Sequence, residues 1–274
     1  MAELTTTTIS TAGGVEIEVR HGGSGPALVW FHGLVGLAHR EPALEALADS
    51  FAVHAPVWPG YGDVLNESSV EDMLDFALLG WDIVDALALD KPHVIGHSFG
   101  AMIAAEMACV ARHDLTTLTL VTPFGLWLDE HPITDPFAQL PFQLTELLFT
   151  DPTNASTLVA PGVDLESDEG LAEFMVSNSR RLGTAGKIMF PIPNRRLSKR
   201  LYRISVPTRI IMAAGDRLIT RPYADAWRER IDGSEVVTID GAGHMVNLEQ
   251  PDRLASAVTA FLGSQTSTGA GTVR

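Results

Sequence analysis

A serine flanked by glycines, Gly96-His97-Ser98-Phe99-Gly100, carries the strongest chemical signal in this chain. It follows Lys91-Pro92-His93-Val94-Ile95, which reads as a short buried strand, and precedes Ala101-Met102-Ile103-Ala104-Ala105-Glu106-Met107-Ala108, rich in helix formers. A strand–turn–helix bend lifts a serine hydroxyl clear of the backbone, and the helix N-terminus behind it favours developing negative charge. The glycines permit the bend and leave room beside Ser98. The chemistry this implies is nucleophilic attack on an electrophilic carbon.

A serine hydroxyl is a weak nucleophile at neutral pH and needs a general base. Of the nine histidines, His21 and His39 fall in or near loops, His54 and His93 in strand-like runs, and His113 and His131 have no supporting pattern. His97 adjoins Ser98, but the turn fixes its direction. His244 lies in Gly241-Ala242-Gly243-His244, just past a strand-like run at 235–239, and is the candidate base. The base needs an acid to hold its tautomer. Asp216 follows the apolar run Arg209-Ile210-Ile211-Met212-Ala213-Ala214 at Gly215 and is the candidate. Asp225 and Asp232 fall in a helical segment, and Asp240 stands too near the base. The order Ser, Asp, His belongs to a nucleophile on this kind of bend. Attack on a carbonyl also requires preset donors for the oxyanion. The N–H of Phe99 is one candidate, and the N–H of Leu34, in Phe31-His32-Gly33-Leu34-Val35-Gly36, is the other.

These residues need a scaffold that gathers distant segments. Strand-like runs at 6–10 and 15–20 predict an antiparallel pair, and further strands are predicted at 27–32, 51–55, 91–95, 115–121, 208–213 and 235–239. Helical patterns at 42–48, 70–89, 101–108, 223–231 and 252–262 alternate with them. Alternation of this kind implies an α/β fold, a mostly parallel sheet with helices on both faces. Ligand sites in such sheets lie beyond the carboxyl ends of the strands, where Ser98, Asp216 and His244 all fall. The rhythm breaks between 122 and 200, which holds eight of the sixteen prolines and apolar clusters at 142–149 and 171–176 suited to short helices. We expect a core of residues 1–121 and 201–264, an inserted helical cap at 122–200, and a flexible Ser/Thr/Gly-rich tail at 265–274.

The whole chain has 274 residues, 46% of them hydrophobic and 19% charged, with a formal net charge of −15. That composition fits a globular protein, and the acidity argues against nucleic acid or an anionic membrane as partner. Cys109 is the single cysteine, so no intramolecular disulfide forms, and a buried structural thiol is expected. The N-terminal Met1-Ala2-Glu3-Leu4-Thr5-Thr6-Thr7-Thr8 has neither a basic nor an apolar signal region, so a cytoplasmic enzyme is expected. No metal cluster or nicotinamide fingerprint stands out. Gly22-Gly23-Ser24-Gly25 lacks the strand–helix context of a phosphate loop, and no cofactor is expected.

Together with Trp58-Pro59-Gly60-Tyr61-Gly62, these segments closely resemble the α/β-hydrolase superfamily, over residues 5–121 and 205–262. The resemblance implies a cap above the active site. Val57 stands where the family often has an acidic residue, and Ala213 where it often has glycine. The run His244-Met245-Val246-Asn247-Leu248-Glu249-Gln250-Pro251 looks like the ending of simple esterases and enol-lactonases. Haloalkane dehalogenases and epoxide hydrolases carry a carboxylate at the nucleophile position, which Ser98 is not. The implied function is hydrolysis of small or medium apolar esters or lactones through an acyl-enzyme. Alternatives are a carbon–carbon hydrolase of vinylogous diketones, a cofactor-free perhydrolase or acyltransferase, and a non-catalytic small-molecule binder. Candidate pocket residues are Trp58, Phe124, Trp127, Phe137, Phe142 and Met245, with the side chains of Leu34 and Phe99 beside them. Arg180 and Arg181 are either a carboxylate-binding pair or a salt-bridged surface pair.

Overall fold

The computed structural model describes residues 3–155, 167–192 and 196–269; at 141, 142, 154 and 266–269 it describes the backbone alone. Eight strands form one sheet: β1 (Thr5–Ser10), β2 (Glu16–Gly22), β3 (Ala27–Phe31), β4 (Ala52–Pro56), β5 (His93–His97), β6 (Thr117–Val121), β7 (Thr208–Ala213) and β8 (Glu235–Ile239). Their order is β1-β2-β4-β3-β5-β6-β7-β8. The β1–β2 and β2–β4 pairs are antiparallel and the rest are parallel. The α/β architecture read from the sequence is therefore the observed one.

Alternation along the strands divides the core. Leu28, Trp30, Ile211 and Ala213 face α1 (Pro42–Leu47) and the C-terminal helix, burying Leu44, Leu47, Leu254 and Val258 between them. Val29, Phe31, Ile210 and Met212 face the other way, toward α2 (Met73–Ala86) and α3 (Phe99–Val110). Successive side chains of a strand point to opposite faces, so each run supplies both layers. β5 is buried along its whole length, which is why it reads as a continuous apolar run.

Between β6 and β7 lie α4 (Pro141–Leu148), α5 (Asp168–Met189) and several 3₁₀ turns, with no strand among the described residues. The sequence suggested short helices here, but α5 runs for 22 residues. The Ser167 side chain caps it by accepting from the Gly170 N–H at 3.1 Å, and Thr184, Ala185, Ile188 and Met189 bury its C-terminal end. This packing overrides the helix-weakening effect of Gly170, Gly183 and Gly186. The segment 162–166 and its neighbours from 156 lie outside the described residues. The chain then resumes α/β alternation with α6 (Pro222–Arg228), α7 (Val246–Glu249) and α8 (Pro251–Gly269). The tail expected from 265 is thus helical through Gly269; residues 270–274 lie outside the described residues.

A side-chain cap fixes where α2 starts. The Asp72 carboxylate accepts from Leu74 N–H at 2.8 Å and Asp75 N–H at 3.2 Å, so helix begins at Met73 and not at 70 as the apolar spacing suggested. Two orphan donors of the first turn are satisfied this way. Asp72→Ala should cost about 1 kcal/mol, lowering the calorimetric midpoint by about 2–4 °C.

Candidate active site

Ser98 sits between β5 and α3 with φ 58° and ψ −122°, a conformation that side-chain-bearing residues adopt only under constraint. The constraint is close packing of α3 on the carboxyl end of β3. A Cβ at Gly100 would lie 2.2 Å from the Phe31 carbonyl oxygen and 2.5 Å from that of His32. The Ser98 N–H donates to the Val121 carbonyl at 2.9 Å, and its carbonyl accepts from Phe124 N–H and Ala101 N–H, each at 3.1 Å. The bend is held on every side.

The three predicted side chains meet. The Ser98 hydroxyl donates to Nε2 of His244 at 2.8 Å, and Nδ1 of His244 donates to Oδ2 of Asp216 at 2.9 Å. Oδ1 of Asp216 accepts from the N–H groups of Leu218 at 2.8 Å and Ile219 at 2.9 Å. A carboxylate so held accepts the Nδ1–H hydrogen bond, which fixes that tautomer and leaves the Nε2 lone pair facing the hydroxyl. Ser98 and His244 are each 1% exposed and Asp216 is 7% exposed. Nε2 of the neighbouring His97 donates to the His244 carbonyl at 2.8 Å and braces the base from behind.

The Gly33–Leu34 segment abuts the nucleophile, since a Cβ on Gly33 would lie 2.5 Å from the Ser98 Cβ. His32 locks that turn: its Nε2 accepts from Trp58 N–H at 3.1 Å and its Nδ1 donates to the Gly33 carbonyl at 3.0 Å. The Tyr61 hydroxyl donates to the Leu34 carbonyl at 3.1 Å. Neither the Leu34 nor the Phe99 N–H has a hydrogen-bond partner among the described residues. Phe99 opens α3, where a helix leaves its N–H groups free.

The pocket candidates separate. Phe124 touches the nucleophile's backbone, and Met245 follows the base, its N–H donating to the Leu148 carbonyl at 3.1 Å. Trp58 is a core side chain, stacked on Phe31 at 4.9 Å and edge-on to Phe76 at 5.6 Å. Trp127 donates from Nε1 to Asp129 at 3.0 Å, and Phe137 packs on Phe190 at 4.9 Å. The Phe142 side chain lies outside the described residues. Arg180 pairs with Glu67, whereas Arg181 has no ion-pair or hydrogen-bond partner among the described residues.

Two carboxylates escaped the sequence reading. Glu249 accepts from Gly243 N–H at 2.7 Å and Thr150 N–H at 2.9 Å, and also bonds the Thr150 hydroxyl. It ties the loop before His244 to the end of α4. Glu41 is bonded to Ala38 and Asn247. Both partnerships join residues far apart in sequence, and no local spacing announces them.

A family profile described as the alpha/beta hydrolase family matches residues 20–257. The chain belongs to that family. It is 26% identical to the monoacylglycerol lipase ABHD6 of Mus musculus over 270 residues, spanning 88% of this chain and 77% of that protein. Two solved structures share the fold. A bacterial membrane phospholipase A gives a TM-score of 0.78 at 22% identity, over 96% of this chain and 87% of the other. The meta-cleavage product hydrolase of Pseudomonas fluorescens gives 0.75 at 21%, over 94% and 97%. This alpha/beta hydrolase has no helix among its described residues long and apolar enough to cross a membrane.

The packing that builds the site sets an acid limit on stability. Burial lowers His32 to about 4 and His97 to about 3, from 6.5. Unfolding frees both to take up protons near pH 6.5, so the folded state is favoured above that pH and loses ground as pH falls toward 4. Glu41, raised by burial from 4.5 to about 7, acts oppositely: its contribution is full below 4.5 and is lost as pH rises through 7. The two histidines outweigh the one carboxyl between pH 6.5 and 4.5. The urea midpoint should therefore fall as pH drops through this window, and fall less steeply in His97→Gln.

Proposed function

We propose that this alpha/beta hydrolase is a serine enzyme that cleaves small or medium apolar carboxylic esters or lactones through an acyl-enzyme. The observation that carries this reading is the continuous hydrogen-bond chain from Ser98 through His244 to Asp216. In the proposed cycle His244 Nε2 takes the hydroxyl proton as Ser98 Oγ attacks the carbonyl carbon. Asp216 keeps the imidazole in the required tautomer and stabilises its cationic form. The unengaged N–H groups of Leu34 and Phe99 receive the oxyanion. Collapse expels the leaving alcohol, which takes the proton back from His244. Water then repeats the sequence on the acyl-enzyme, with His244 again as base, and releases the acid. The partner is a small molecule, and nucleic acid and membrane are excluded as partners in this reading. The division into a core and a cap over 122–200, and a cytoplasmic location, belong to the same proposal.

Replacing Ser98 by Ala should lower kcat on p-nitrophenyl esters by about four to six orders of magnitude, with the urea midpoint little changed. A fluorophosphonate probe should label the wild-type protein at Ser98 and leave the variant unlabelled. Hydrolysis by Ser98→Ala near the wild-type rate would end the proposal, and wild-type protein that neither turns over nor labels would favour a binding protein on this fold.

Arg181 favours a second reading, in which the substrate carries a carboxylate remote from the scissile bond. It lies three and four residues before the buried Thr184 and Ala185, on the face of α5 that packs inward. Burial lowers its pKa; Arg180 adds to this and the nearby Tyr61 opposes it. A half-buried guanidinium without an anion is costly unless a ligand supplies one. Ring-cleavage diketones with a carboxylate would suit it, as would monoesters of dicarboxylic acids. Arg181→Leu should raise KM for a carboxylate-bearing ester about tenfold, equivalent to ~1.4 kcal/mol, and leave KM for its neutral methyl ester within about twofold. Equal changes on both substrates would remove this reading.

A further inference from the structure

Glu41 is a buried carboxyl that the proposed chemistry does not use. It is 2% exposed and directly precedes Pro42, which opens α1. Oε1 accepts from the Ala38 N–H at 2.6 Å, and Oε2 accepts from Nδ2 of Asn247 at 3.1 Å. The charged groups facing it are engaged elsewhere. Arg20, on β2, donates to the Ala38 carbonyl and to that of His39 at 3.4 Å. Glu45, on α1, is paired with Arg40. Oδ1 of Asn247 is buried with no hydrogen-bond partner among the described residues. A buried carboxyl held only by two neutral donors costs stability unless its placement serves something else.

Its two bonds join the two halves of the site. Glu41 closes the segment from Gly33 that carries the Leu34 N–H, and Ala38 is a fixed point inside that segment. Asn247 lies on α7, three residues after His244, and its bond to Glu41 spans 206 residues of sequence. No other hydrogen bond among the described residues links the 33–41 segment to α7. We propose that Glu41, acting through the Ala38 N–H and Asn247, is a positioning residue that keeps the Leu34 donor and the His244 base in one frame. This rests on the serine-hydrolase reading above.

A donor and a base must both meet the same tetrahedral centre. An oxyanion donor works only within about 2.7–3.1 Å of the oxygen, and a displacement of about 1 Å can cost some hundredfold in rate. Without Glu41 the segment keeps Tyr61 on the Leu34 carbonyl and Arg20 on the Ala38 carbonyl, so it stays folded but its register against α7 loosens. Glutamine can restore the frame without charge. Its carbonyl accepts from Ala38, and once the Asn247 amide turns over, its own amide donates to the Asn247 Oδ1.

The test measures p-nitrophenyl ester kinetics and trifluoromethyl-ketone inhibition on the whole protein, with thermal midpoints recorded beside them. Wild-type activity that disappears in Ser98→Ala is the entry condition, and its absence counts against the serine-hydrolase reading alone. Given that, Glu41→Ala should lower kcat about 10–100-fold with KM within about threefold. Affinity for the ketone, which mimics the oxyanion, should fall in parallel. Glu41→Gln should recover kcat to within about threefold of wild type, and Asn247→Ala should reproduce the loss. The double variant should be no worse than either single one, as expected for one shared link. If Glu41→Ala does not fold, Asn247→Ala carries the same expectation. Folded variants with wild-type kcat and ketone affinity, or losses that multiply in the double variant, overturn the proposal.

Discussion

The approach of α3 to the carboxyl end of β3 governs the whole site. Gly100 lies so close to the Phe31 and His32 carbonyls that no side chain fits there. That closeness forces the backbone at Ser98 into positive φ and brings Gly33 against the serine. The same contact thus lifts the hydroxyl, sets the Leu34 segment beside it and leaves the first N–H of α3 free. Strain of this kind costs about 1–3 kcal/mol and persists because a fully buried strand and a well-packed helix surround it.

Polar groups in the site are satisfied in pairs that leave the reacting atoms free. Asp216 spends one oxygen on two backbone donors and the other on His244. His32 uses both ring nitrogens on backbone, and His97 faces the His244 carbonyl. Burial keeps both of these imidazoles neutral around pH 7, so neither brings a positive charge next to His244. Among the described residues, the Asp216 carboxylate is the one charged side chain bonded to the His244 ring.

The sequence made the strand ends legible because a chain reversal after an apolar run leaves a local trace. β7 and β8 have the bounds their apolar runs suggested, and Asp216 and His244 follow them. Other features lacked such a trace. α5 hides because three glycines and a largely polar surface mask its periodicity, and its burial comes only at the C-terminal end. Trp58 reads equally well as pocket wall or core, and its stacking on Phe31 is a contact that no linear pattern announces. The adjacent Arg180 and Arg181 look alike until Glu67 engages one of them. Glu41 and Glu249 owe their roles to contacts across the fold, which pattern in a linear chain cannot carry.

The seam between α4 and the loop before His244 has a further consequence. Leu148 accepts from Met245, Thr150 is bonded to Glu249, and Glu249 holds Gly243. The end of α4 and the loop that carries the imidazole are therefore one piece of masonry. Displacing the end of α4 would drag that loop with it and draw the imidazole away from Ser98, so the two must move together or not at all.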